Sequence, residues 1–582
     1  MKIMESKTLK IFFAFTLVLF LSDGLLAQNK KEDVETVTAE ANRKVPESHR
    51  IAEMPTIIDT VIKHKETNYS LLSVNYRTKI NVDTIQPAKI RVRDKLQQLY
   101  NSYVKIGIGY PLIPLADIYY NNGRSRDFFY GGRIQHLSGF SKIKHYAPAS
   151  FDRTKINLYG GLRKTNWDLD GAVTGNFRGL HYYGIRDKEV AKDTIAQRFS
   201  EGGFTGHFAT HKPTTSPLNF SLDLAYNYFA DRKPKVDSLK AWHSQENYLN
   251  VAPKFWYQWK NYRLGLDLGV KYNGYRYGPK DDTLGLSAID TAIKVNNVIA
   301  NLMPNVAFSF FDKKLNVKAG VNLTYDAGIV NKFRVFPLVQ ASYSLLSNTL
   351  VPYFNLGGGI DQNSLRKMSY INEFVLSNQN LRNSINTFNV EVGVRGNITN
   401  QLGYSASFQY NHYNDYLLYE HDTLYFKDAN HFRAIYDTAN RIKLEGALYY
   451  QLNEKIKLDF IARYSPYKGR HEFTGWYLPV YQFVFRGSYN LFDKLLVQMD
   501  FDLQGGRSAK VYGPGKDIVE LDNQFVKKLG FMYDINLHFE YRFTPRISAF
   551  LDLNNVAANQ YKRWLNYPVY GIQVMAGATF RF

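Results

Sequence analysis

From 261 to 275 the chain reads NYRLGLDLGVKYNGY, and apolar and polar positions alternate without a break. Tyr262, Leu264, Leu266, Leu268, Val270 and Tyr272 form one set; Arg263, Gly265, Asp267, Gly269, Lys271 and Asn273 form the other. A period of two puts successive side chains on opposite faces of a strand, so one face is greasy and the other charged. Leu315, Val317, Ala319, Val321, Leu323 and Tyr325 interleave in the same way with Asn316, Lys318, Gly320, Asn322, Thr324 and Asp326. So do Ile535, Leu537, Phe539, Tyr541 and Phe543 with Asp534, Asn536, His538, Glu540 and Arg542. Strands of soluble sandwiches also alternate, but they usually run only about five or six residues. Here the alternation lasts about ten, near the length that crosses a bilayer when tilted. Such a strand is a wall between lipid and a wet lumen.

The connections alternate as well. Short polar turns fall at 165–166, 260–261, 312–314, 347–349, 400–401, 453–454, 493–494 and 544–546. Between them lie long excursions at 183–198, 276–296, 361–384, 465–480, 505–526 and 554–568. This predicts an all-β fold: a transmembrane up-and-down antiparallel β-barrel over 101–582, with short periplasmic turns and long extracellular loops. The walk from Tyr103 to Phe582 gives about 22 strands, an even number between about 20 and 24, if a short first hairpin turns through Pro111 to Pro114. The last strand is expected at 569–582 with Tyr570, Ile572, Val574, Ala576, Ala578, Phe580 and Phe582 outward. Trp256, Tyr257, Trp259 and Tyr262 crowd the turn at Lys260, as in an interfacial aromatic girdle.

Composition narrows the class. With 44 Tyr, 39 Phe and 40 Gly and a mean hydropathy of −0.35, the chain is too polar for a bundle of membrane helices. There is no cysteine, which rules out thiol chemistry and cysteine-ligated metals and suits passage through an oxidising periplasm. Lys2, Lys7 and Lys10 precede the apolar run Ile11 to Leu21, and the pattern reads as a signal peptide over 1–27, cut after Ala27. Its removal leaves 70 basic against 50 acidic residues. The excess has two readings. Basic side chains in loops and rims would meet anionic lipid headgroups. Alternatively Lys155, Arg163, Arg263, Lys271, Lys318, Arg395 and Arg542, on inward faces, would make the lumen anion-selective. The first is preferred, because Asp267, Asp326, Glu391, Asp534 and Glu540 share those faces. Nucleic acid is not an expected partner.

Catalytic patterns are missing. No Gly-Xaa-Ser-Xaa-Gly, His-Glu-Xaa-Xaa-His or phosphate loop occurs, so no enzyme and no cofactor is expected. The densest group of metal-ligating side chains is His412, Asp415, His421, Asp422, Asp428 and His431, divided between two strands and a loop, and it is expected to be a wet surface.

The segment DLNNVAANQYKRWLNYPVYGIQVMAGATFRF, Asp552 to Phe582, resembles the last hairpin of TonB-dependent receptors, with an Asn-rich loop, a Tyr-Pro before the final strand and an aromatic end. Tyr570, Phe580 and Phe582 resemble the terminal signal read by barrel-insertion machinery. Upstream, Asp33, Val34, Glu35, Thr36, Val37, Thr38 and Ala39 resemble the TonB box, which a periplasmic energiser grips by strand addition. Residues 28–100 are too few for the plug of that family, and the chain resembles the plugless receptor-like barrels common in Bacteroidota. Something must then occlude the lumen: residues 28–100 lying partly inside it, which is expected because Ile57, Ile58, Val61, Ile62, Leu71, Leu72 and Val74 need burial, or inward-folded loops, or a partner such as a lipoprotein. The resemblance implies an outer-membrane protein of a Gram-negative bacterium that mediates uptake, with specificity in loops such as 361–384 and 505–526. The alternative is a non-transporting barrel that scaffolds surface lipoproteins or assists outer-membrane assembly or export.

Overall fold

The computed structural model describes residues 99–582, apart from 124, 212–217, 233–241, 280–292, 347–348, 423–429, 454 and 516. The expected signal peptide 1–27, the TonB-box-like segment 33–39 and the expected lumen segment up to 98 lie outside the described residues.

Twenty-two antiparallel strands form one closed barrel. The first strand, Ser102–Tyr110, pairs on one side with Ile113–Asn121 and on the other with the last strand, Gln573–Arg581. The expected first hairpin is thus real: it turns tightly at 111–112, between two nine-residue strands. Closure satisfies the backbone groups that an open edge would expose to lipid. It also demands small residues at the seam. A Cβ on Gly577, opposite Gly107, would stand 2.1 Å from the Ile106 carbonyl oxygen and 2.5 Å from the Phe550 ring.

Alternation sets the two faces. Leu158, Leu162, Leu169, Val173, Leu264, Val270, Leu302 and Val321 are among the exposed large apolar side chains, and each is flanked in sequence by positions that turn inward. This outward band is the lipid-facing surface expected of a membrane barrel. At the turn near Lys260 the girdle is partly as expected. Tyr257, Trp259 and Tyr262 are exposed, but Trp256, out of phase with them, faces inward with the Arg263 guanidinium 4.7 Å from its ring.

Strand length varies around the barrel. The seam strands have eight or nine residues, whereas Trp242–Trp259, Leu402–His421 and Phe432–Leu452 run to 18, 20 and 21. At about 3.3 Å per residue the longer strands outreach the roughly 25 Å apolar band even when tilted. The excess continues on the side of the long loops. The last strand begins at Gln573, not at 569, and Tyr570 precedes it. Tyr570 keeps the apolar phase of that strand, but its hydroxyl donates to the Ala149 carbonyl at 2.7 Å and its ring meets Phe151 at 6.3 Å. It therefore belongs to loop packing and not to the outward face.

Candidate functional site

Segment 362–383 leaves the barrel between Val351–Asp361 and Ser384–Asn397 and turns into the lumen. Its sequence begins as a helix should. Ser364 accepts the Lys367 amide at 3.1 Å, and Leu365, Met368 and Ile371 recur at a spacing of three. The helix that results, Leu365–Ile371, buries Leu365 and Met368 completely.

Barrel-wall side chains hold the segment at many points. Glu246, fully buried, accepts the amides of Leu365 at 3.0 Å and Arg366 at 2.8 Å, and the Asn273 side-chain amide at 2.8 Å. A carboxylate there meets the free N–H groups and the positive end of the helix dipole. Glu201 pairs with the Arg366 guanidinium at 2.6 Å and accepts the Tyr370 hydroxyl at 2.5 Å. Burial foremost, with Glu201 nearby, pushes the Tyr370 phenol up to about 12, so it remains a donor at neutral pH. Arg178 donates to the Ser369 carbonyl and hydroxyl at 2.9 and 2.7 Å and lies 4.0 Å from the Tyr370 ring centre. Arg153 pairs with Glu373 at 2.9 Å, Asp231 accepts the Ser377 hydroxyl, and Asp326 accepts the Asn383 side-chain amide at 2.9 Å. The segment thus reaches from its own strands to Phe151–Arg163, nine strands away in barrel order.

Above it the loops share one apolar core. Tyr182, Phe199, Phe229, Tyr275, Phe374, Val375, Phe432, Trp476, Tyr477, Trp564 and Tyr567 are all buried in it. Phe374 stacks on Tyr567 at 3.6 Å between ring centres, and Tyr477 meets Trp564 at 4.8 Å. Val375 bridges to Phe432, tying the lumen segment to this cap. Burying each such ring removes about 1.5–3 kcal/mol of unfavourable hydration.

The histidine-rich group is not the wet surface expected of it. His421, Asp422 and His431 are buried at 1–3% exposure. The His421 ring lies against Phe432 and that of His431 against Tyr182, at 4.5 and 4.0 Å. Burial pushes the His431 imidazole down to about 3. His412 bonds to Asn440 at 2.6 Å and Asp415 pairs with Arg382 at 3.4 Å, away from the cap histidines in the hydrogen-bond network. Asp428 lies outside the described residues. No group of three or more potential metal ligands converges among the described residues.

The seven basic residues singled out for the lumen are spread over five strands, and most have company. Lys318 meets Asp267 at 3.6 Å, Arg163 meets Asp168 at 3.5 Å, and Arg542 meets Glu540 at 4.0 Å. Arg263 and Arg395 lie 4.7 and 5.6 Å from the rings of Trp256 and Tyr353. Lys155 stands in register with Gln135 and Asn176, and Lys271 with Asn250 and Ile299. The residues that organise the outer lumen, Arg178, Glu201 and Glu246, escaped the sequence reading. The one local signal was the Ser-capped apolar spacing from Ser364 to Ile371.

No family model matches the sequence, and no curated protein matches it. Solved structures do. The siderophore receptor PirA from Acinetobacter baumannii is 11% identical, with 84% of this chain and 81% of that one covered at a TM-score of 0.61. The ferripyoverdine receptor of the outer membrane of Pseudomonas aeruginosa is 13% identical, with 84% and 73% covered at 0.60. The copper transporter OprC is 13% identical, with 84% and 81% covered at 0.58. Likeness at these identities is one of fold, and the fold is that of TonB-dependent receptors, barrels of the Gram-negative outer membrane.

Proposed function

We propose that the chain is a receptor-like transporter that takes up a nutrient across the outer membrane, with segment 362–383 as its outer gate. The observation that carries this reading is how the segment is held: beside the apolar packing of Leu365, Met368, Phe374 and Val375, the barrel wall grips it through hydrogen bonds and ion pairs to Arg178, Glu201, Glu246 and Asp326. Such contacts exchange for contacts to water or ligand at a small net difference, which suits a part that moves. Solved barrels of the same fold include a copper transporter and a siderophore receptor.

In this reading the signal peptide 1–27 directs export, Asp33 to Ala39 engages a periplasmic TonB-type energiser, and the rest of 28–100 occupies the lumen beneath the gate. Phe580 and Phe582 serve the insertion machinery, while basic rim residues meet outer-membrane lipids. A surface or periplasmic lipoprotein would complete the machinery.

A second reading has its own support. The aromatic packing of the cap makes a fixed outer surface, as a scaffold for lipoproteins or an assembly or export factor would need. Growth of a strain lacking the chain on defined nutrients separates the two. Transport expects loss of growth on one nutrient, restored by the intact chain but not by one lacking 33–39. Normal growth on every nutrient, with a lipoprotein lost from the surface, would favour the scaffold.

A further inference from the structure

We propose that the outer rim carries a binding site for a phosphate-type anion, in a cleft between residues 527–531 and 559–565. The cleft has a volume of about 290 Å³ and is walled by Lys527, Lys528 and Lys562, with Phe531, Tyr561 and Leu565 as its apolar surface. Sites for small molecules begin near 300 Å³, so the ligand is compact.

Exposed lysines alone mean little. What distinguishes these is the lack of an ion-pair partner among the described residues and the frame behind them. Among the described residues no carboxylate lies within 4.0 Å of any of the three ammonium groups. Asp534 accepts the Tyr561 hydroxyl at 2.9 Å. Behind the cleft Arg507 is buried at 3% exposure; among the described residues no carboxylate lies within 4.0 Å of it, and Asp502 acts on it only from farther off. Its guanidinium donates to the Arg563 and Lys562 carbonyls at 3.2 and 3.1 Å, and its own carbonyl accepts the Leu529 amide at 2.9 Å. One buried cation therefore fixes both walls, and its Nε remains without a hydrogen-bond partner.

Burial, then Lys527 and Arg186 nearby, lowers the affinity of the Lys562 amine for its proton. A bound anion reverses that penalty. Ammonium groups act as point charges that suit compact phosphate oxygens, whereas bidentate capture of planar carboxylates favours arginine. The phosphate belongs either to a free solute or to an outer-leaflet lipid headgroup.

Calorimetric titration of the full chain in a neutral detergent with inorganic pyrophosphate tests the site. Saturable binding is expected, weakened at least about tenfold in the triple variant K527Q/K528Q/K562Q and unchanged in K313Q/K314Q, which alters an exposed short turn at the other end of the strands. Should the triple variant fail to form a barrel, K562Q alone, checked for folding by gel mobility, carries the comparison. No saturable binding, or equal affinity in the cleft variants and the intact chain, overturns the proposal. Nanodiscs with and without lipid A identify the source. Loss of pyrophosphate binding only with lipid A present assigns the site to a lipid headgroup; retention assigns it to a free solute.

Discussion

Glu246 on the barrel wall accepts the Arg366 amide at 2.8 Å, so a fully buried carboxylate from one strand starts a helix that belongs to a loop 120 residues away. Removing the carboxylate leaves the first amides of Leu365–Ile371 without a partner inside the lumen. Glu246→Ala should loosen segment 362–383 by about 2–3 kcal/mol while the barrel stays folded. Faster hydrogen exchange confined to 362–383 would show it; exchange as slow as in the parent would contradict the role given to Glu246.

Phe432 is the most enclosed ring of the cap, at 0% exposure, with Trp564 and Tyr477 at 5.3 and 5.7 Å. Phe432→Ala should cost about 3–5 kcal/mol of cap stability. Limited proteolysis should then cut the 465–480 and 506–531 loops at protease levels that leave the parent intact.

His431 gives the cap a pH dependence. Its folded value of about 3 lies below the ordinary value of 6.5. Its contribution is therefore complete above about 6.5 and is lost as pH falls toward 3, because the opened cap takes up a proton that the closed cap refuses. The slope is about 1.4 kcal/mol per pH unit, which amounts to about 2 kcal/mol at pH 5. Protease sensitivity of the loops measured at pH 7.5 and 5 should rise on acidification, and His431→Phe should remove about half of that rise, because burial also pushes His421 down to about 4 and leaves it a similar share.

Leu158 stands near the middle of Phe151–Arg163 and is 55% exposed on the outward face. Leu158→Arg should destabilise the barrel in lipid vesicles by about 2–4 kcal/mol, as expected for a cation near the bilayer midplane. Asn157→Lys, on the opposite face, should cost far less. Equal losses in denaturant titrations would overturn the assignment of faces.

Gly577 tests closure. With the Ile106 oxygen 2.1 Å from an added Cβ, Gly577→Val cannot keep the register of Gly107 with Gly577. The variant should lose the heat-modifiable gel mobility of a closed barrel, whereas Ala576→Val, one residue away and outward, should retain it.

Much of the wall was readable because a strand writes its two faces alternately into the sequence. Leu264 and Asp267 declare their sides without any tertiary information. Turns were readable too: Lys260, Asp312, Asn453 and Asp493 adopt positive φ where polar turn residues interrupt the alternation. The gate was not readable, because its bonds join residues far apart, such as Arg178 with Ser369. Glu201 and Glu246 occupy inward positions indistinguishable in pattern from those that face a wet lumen. Tyr570 misled for the opposite reason: it continues the alternation of the last strand although the carbonyl of Ala149 draws it into loop packing. His421 and His431 looked like a solvated cluster because nothing local shows that Trp564 and Tyr182 belong to the same core.

Closure of the outer mouth by 362–383 and the cap is the central claim, and single-channel conductance tests it most directly. Two chains lacking 30–95 should be compared, one with the loop intact and one with 364–382 replaced by a short Gly-Ser linker. The chain with the intact loop should stay closed, and the linker variant should show discrete openings. Full conductance with the loop intact would contradict the claim and leave the N-terminal segment as the occluder.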